Sequence, residues 1–325
     1  MRSETRGDIL PKSISIAMND SFNMITGIIP AVVLPMNKSA EPDLDEYKRY
    51  LKWVTSAGVT GAAVNVDTGE GPNLTPEERR EVVKVARASV GGKLVVAGII
   101  GSSTKSAVAA ATEAKRAGAD AGLMFPNSSF AGLPLDPTGP LEYHRSIADE
   151  AGLDIILFQL QPSLGGIEYP LEVLLKLAQL KNVVAIKEAT FDARKFYETL
   201  NAFKKHAKRV SFLTGNDNFV LESFVLGCDG ALIGFGTLPV KDLVKMFELV
   251  KKQNVKEASE IWARLKPLME VIYGSPVRSY RARTKYALSV LNVISEKVTY
   301  MRPPLMNVTE AEKSAIRSAL KEAEL

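Results

Sequence analysis

From Ile25 onward, short apolar runs alternate with stretches that carry the spacing of amphipathic helices. The runs cover residues 27–35, 61–66, 94–100, 121–125, 154–160, 183–189, 210–214 and 231–235, eight in all. They are rich in valine, isoleucine and alanine and bounded by turn residues, which reads as strands buried on both faces. Strand–helix units repeated in this way build a parallel sheet, and eight of them close into a (β/α)8 TIM barrel. An open doubly wound sheet is the competing arrangement. It usually carries a glycine-rich phosphate loop after its first strand, whereas Leu34-Pro-Met-Asn-Lys-Ser39 contains no glycine.

The intervening segments carry helix start and stop signals. Asp43 precedes Glu46, Thr75-Pro-Glu-Glu78 reads as a capping box with proline in the first turn, and Thr309 precedes Glu312. Gly58, Gly118, Gly152 and Gly227 stand where helices should stop. Beyond about residue 252 the strand signal ceases, and residues 254–272, 279–292 and 309–323 read as helices. The expected organisation is a barrel over residues 24–253 with a C-terminal helical extension over 254–325. Residues 1–23 are polar, without period and without a secretory apolar core. They read as a flexible extension or an early-assigned start, since Met18 and Met24 can also initiate.

Composition removes several function classes. The 41 lysines and arginines exceed the 37 acids by only four, and they are dispersed, which argues against nucleic acid or an anionic membrane as partner. No apolar run is long enough to span a bilayer, and a cytoplasmic protein is expected. Cys228 is the single cysteine, expected as a small buried thiol in a helix-like stretch, so neither a disulfide framework nor a cysteine-ligated metal is expected. His144 and His206 are the only histidines and sit among helix formers, which argues against a serine–histidine or cysteine–histidine nucleophile. No metal and no cofactor are expected.

In a barrel of this kind chemistry gathers at the C-terminal ends of the strands. The polar residues there are Asp67-Thr68-Gly69-Glu70, Asn127-Ser128-Ser129, Gln159-Leu-Gln161, Lys187, Gly215-Asn216-Asp217 and Gly234-Phe-Gly236-Thr237. Lys187 stands in Val183-Val-Ala-Ile-Lys187-Glu-Ala189. An ammonium in such a strand loses hydration, so its pKa should fall and its amine become a nucleophile for imine formation with a ketone. Strand alternation then turns Glu188 outward toward the helices. A phosphate cradle at Gly234-Phe-Gly236-Thr237 is a weaker alternative, because a lone Gly-x-Gly carries little information.

These motifs resemble the dihydrodipicolinate synthase / N-acetylneuraminate lyase superfamily of class I aldolases, from about Met24 to the C-terminus. The resemblance rests on Val66-Asp-Thr-Gly-Glu70, Ala185-Ile-Lys-Glu-Ala-Thr190, Gly215-Asn-Asp217, Gly227-Cys-Asp-Gly230 and Arg302-Pro-Pro-Leu305. It implies an imine (Schiff base) between Lys187 and a 2-oxo acid such as pyruvate. It also implies that Thr68 and the amides of Thr68 and Gly69 hold the substrate carboxylate, that the Leu232 carbonyl lines the site, and that the protein is a homo-oligomer, a dimer or tetramer. Asp217 is expected to cap the following helix.

The chain departs from that pattern where protons move. The family's strand-5 tyrosine is Phe158, and a phenyl ring cannot carry a proton. Asn127 and Ser128 stand where tyrosine is expected after strand 4, and Asp67 replaces the first threonine of the Thr-Thr-Gly-Glu motif. The arginine expected after strand 5 is missing from Pro162-Ser-Leu-Gly-Gly166. The expected machinery is therefore Lys187 with Asp67, or a water held by Gln159, as proton carrier, and Phe158, Asn127 and Gly234 around the substrate. Aldol cleavage, condensation and dehydration all begin from the same imine. A non-catalytic 2-oxo-acid-binding protein is the rival outside enzymes.

Overall fold

A computed structural model describes residues 24–132 and 135–325, and the expected N-terminal extension lies outside them. The described residues form eight strands, eleven helices and short 3-10 turns. The strands are β1 Gly27–Pro30, β2 Gly61–Val64, β3 Leu94–Ile99, β4 Ala121–Met124, β5 Asp154–Leu160, β6 Val183–Ala189, β7 Ser211–Thr214 and β8 Gly230–Ile233. All are parallel, in the order β1-β8-β7-β6-β5-β4-β3-β2. The seam between β1 and β2 is drawn together by a parallel bridge from Ala31 to Ala63, where the Val32 N–H donates to the Ala63 carbonyl at 3.0 Å. The result is a (β/α)8 TIM barrel.

The first apolar run is longer than its strand. Pro30 ends β1, yet residues 31–36 stay buried because the chain passes under the C-terminal segment, where the Met36 N–H donates to the Val298 carbonyl at 2.9 Å. Its hydrophobicity thus serves two packings, and a run read as one strand is a strand plus a buried crossing.

Eight helices follow the strands: α1 Leu44–Thr55, α2 Pro76–Ser89, α3 Thr104–Arg116, α4 Thr138–Ala151, α5 Leu171–Leu177, α6 Ala193–His206, α7 Val220–Val225 and α8 Val240–Lys251. The Asp43 side chain accepts from the Glu46 N–H, and Thr75 and Thr309 each form reciprocal capping boxes with Glu78 and Glu312. Cys228 is buried, but it lies past the end of α7 in the turn into β8, with Sγ 3.3 Å from the Gly230 carbonyl. The helix-like run ends early because Gly227 adopts a left-handed φ of 87°. His144 is sealed in α4 with Nδ1 2.7 Å from the Pro140 carbonyl, and burial pushes its pKa down to about 4.

Side chains from the strands alternate between two cores. Outward residues pack on the helices, and inward ones, among them Ile29, Val96, Ile156, Ala185 and Leu213, fill the barrel. Three further helices, α9 Val255–Tyr273, α10 Tyr280–Val290 and α11 Glu310–Glu322, follow the barrel. They are fastened to it by a wholly buried ion pair, Glu70 to Lys285 at 2.5 Å. Lys285 also donates to the Tyr300 carbonyl at 2.8 Å, and Glu70 accepts from the Arg302 N–H at 3.0 Å. No described helix is long and apolar enough to cross a membrane.

Candidate active site

Lys187 points into the barrel from β6, in line with the inward Ala185 and Ala189. Glu188 turns outward and is bonded by Asn216 Nδ2 at 2.7 Å and the Thr190 N–H at 3.1 Å. The lysine side chain needs space from the chain beyond β7. A Cβ on Gly215 would stand 2.6 Å from Lys187 Cε, so glycine there is a steric requirement. Lys187 is only 9% exposed. Burial drives its pKa down to about 8, against the opposing pull of Asp217 and Asp67. Its Nζ lies 4.5 Å from the centroid of the Phe158 ring, which is level with it on β5 and packs edge-on against Phe125.

Around this amine opens a cavity of about 50 Å³. Lys187, Thr68, Asp67, Phe158 and Gly234 line it, as the sequence leads one to expect. Leu160, Leu164, Phe191 and Val277 make much of the remaining wall apolar. Thr68 is buried with its Oγ1 3.3 Å from the Tyr280 hydroxyl. The Gly69 N–H is taken up within the turn, donating to the Val66 carbonyl at 3.1 Å.

Several expected site residues belong elsewhere. Gln159 follows Phe158 on β5 and so faces outward, where its amide exchanges two hydrogen bonds with the backbone of Tyr169, at 3.1 and 2.9 Å. That amide is not placed to hold a catalytic water. Asn127 organises its own loop, bonding the Gly101 carbonyl at 3.2 Å and accepting from the Ser129 N–H at 2.9 Å, and it does not line the cavity. Leu232 belongs to the apolar barrel interior rather than to the cavity wall. Around Gly234, amides that a phosphate would need are occupied. The Phe235 N–H donates to Asp217 at 2.8 Å and the Thr237 N–H to the Gly234 carbonyl at 3.1 Å.

Asp217 is the reverse case. It does not cap a helix through its side chain; it lines the cavity, buried, with Oδ1 holding the Phe235 N–H. Burial pushes its carboxyl up to about 6, moderated by that amide and by Lys187.

The C-terminal helices supply what the strand pattern could not reveal. Tyr273, at the end of α9, and Tyr280, at the start of α10, stack at 4.9 Å and both line the cavity. Tyr280 donates to Asp67 Oδ2 at 3.0 Å. Asp67 is further clamped by Arg281, 2.5 Å from its Oδ1 and 2.6 Å from its backbone carbonyl, and by Arg278 at 3.3 Å. Hydroxyls therefore do stand in the cavity, but they come from the C-terminal helices. The only advance sign was α10 itself. Arg281, Arg283 and Lys285 fall on a short helix with no clean polar face, so some charge had to be buried.

The model of the dihydrodipicolinate synthetase family matches residues 24–323. The chain belongs to that family. It is similar to the 4-hydroxy-tetrahydrodipicolinate synthase of Kosmotoga olearia, 28% identical over 300 residues that span 92% of this chain and 98% of the relative. It is 29% identical to that of Pelagibacter ubique over 306 residues, 93% of this chain and 100% of the relative. The solved structure of dihydrodipicolinate synthase from Thermotoga maritima superimposes with a TM-score of 0.84 at 26% identity, over 93% of this chain and 99% of that one.

Proposed function

We infer that this family member acts on a pyruvate-like 2-oxo acid through an imine at Lys187. The observation that carries the reading is a buried lysine amine at the mouth of the barrel, its pKa pushed down to about 8, facing a cavity that Thr68 also lines. Attack of the neutral amine on the ketone, uptake of one proton from solvent and loss of water leave a protonated imine, an electron sink for a carbanion at C3. The Thr68 hydroxyl and its N–H, which has no acceptor among the described residues, suit the substrate carboxylate. Condensation, cleavage and dehydration share this intermediate.

The wall beyond Lys187 favours an uncharged or apolar second partner over an anionic one. Arg278 and Arg281 are turned onto Asp67, and Leu160, Leu164, Phe191 and Val277 offer only carbon. The test is incubation with pyruvate and borohydride, which should add a three-carbon adduct to the peptide bearing Lys187 and none in Lys187→Ala. Labelling of a different lysine would overturn the assignment. An adduct formed without turnover on any partner would instead support a 2-oxo-acid-binding protein.

A further inference from the structure

Two polar groups in the cavity have no part in imine formation at Lys187. The Tyr273 hydroxyl is buried and makes no hydrogen bond of regular geometry among the described residues, although it stands beside the Asp217 carboxyl, close enough for a looser contact. It lies directly over Gly234, where a Cβ would stand 2.2 Å from it. Buried hydroxyls are ordinarily bonded, and one left open at a cavity wall is a donor in waiting. The second group is Asp217, 5% exposed, with one oxygen bound by the Phe235 N–H and its carboxyl facing Tyr273 and Lys187.

We propose that Tyr273 and Asp217 are the proton-transfer pair of this enzyme, taking the role that Phe158 cannot fill on β5; this rests on the imine reading above. In the step, the C3–H bond of the protonated imine breaks and its electrons form the C2=C3 double bond. The former C=N π pair settles on the Lys187 nitrogen, giving a neutral enamine. The proton passes to the Tyr273 oxygen as the phenol's own proton passes to the Asp217 carboxylate. The reverse transfer protonates C3 when the enamine is quenched.

The electrostatics suit these roles. Burial and the nearby acids hold the Tyr273 phenol well above its ordinary pKa, so it rests protonated. Asp217 at about 6 is ionised at neutral pH yet basic enough to accept a proton. The groups facing Asp217 are Lys187 from β6, Tyr273 from α9 and the Phe235 amide after β8. The Tyr280–Asp67 pair is less suited, because that carboxylate is already held by two arginines and Tyr280 is already bonded.

The experiment follows exchange of the pyruvate methyl protons in D2O by NMR, with borohydride trapping as a parallel readout. Wild-type protein should exchange, and its rate per trapped imine should show an acidic limb near pH 6. Tyr273→Phe and Asp217→Asn should still trap pyruvate on Lys187 yet lose exchange by roughly 10²- to 10⁴-fold. Undiminished exchange in either variant overturns the proposal. So does loss confined to Tyr280→Phe, or a wild-type profile flat through that pH range. Failure of wild-type protein to trap pyruvate at all would refute the imine reading instead.

Discussion

At the scale of single residues, the chemistry depends on which way one strand turns. Lys187 and Glu188 are neighbours, and alternation sends the amine to the cavity and the carboxylate to Asn216 and Thr190. In the proposed imine chemistry the neutral amine is the nucleophile, so with Lys187 at about 8, trapping with pyruvate should climb as pH rises to that point and level above it. The slope should approach about tenfold per unit well below the pKa. A rate independent of pH over that range would contradict the assignment. Phe158 fills the adjacent space with carbon, 4.5 Å from the amine. Even with the proposed Tyr273–Asp217 pair, synthase activity with pyruvate and aspartate semialdehyde should be low, because the wall beyond Lys187 is apolar and offers the aldehyde's carboxylate no free cation among the described residues. Phe158→Tyr alone should not restore it, since the arginines near the mouth are committed to Asp67 and do not await the aldehyde's carboxylate. A coupled assay giving rates near those of ordinary synthases would refute this. Lys187 and Phe158 are legible in the sequence because strand position dictates where they point, and Thr68 because it opens the turn after β2. Gln159 sits one step of alternation away from the cavity, so nearness to Phe158 in the chain misleads. The sequence places Asp217 at the strand ends, but its partner, the Phe235 N–H rather than a helix terminus, is found only in three dimensions.

At the scale of elements, strands and helices are readable because each buries a periodic apolar face. The far wall of the cavity is not. Tyr273 and Tyr280 belong to no motif, and only the packing of α9 and α10 over the barrel brings them to Gly234 and Asp67. That packing is held by Glu70 and Lys285, both fully buried. Glu70→Gln should leave an unpaired ammonium in the interior and destabilise the protein by about 3–5 kcal/mol, while adding Lys285→Met should recover much of the loss. Chemical denaturation of the single and double variants measures this. A single-variant cost under about 1 kcal/mol would show that the pair does not fasten the helices.

At the scale of the whole molecule, the family model runs through the barrel and the helices after it, from residue 24 to 323. The oligomer expected from the family resemblance should sediment faster than a monomer at micromolar concentration. A strictly monomeric boundary would remove that expectation.

The position of Tyr273 and Tyr280 also bears on how the protein is made. A ribosome that has translated as far as Ile233 has produced β1 through β8, together with Lys187, Thr68 and Asp217. At that moment the nascent chain has no phenol at the mouth and no guanidinium on Asp67, because Tyr273, Arg278, Tyr280 and Arg281 are still to come. Lys187 is thus synthesised well before the groups that surround it, and the cavity is complete only once α9 and α10 have left the ribosome and docked.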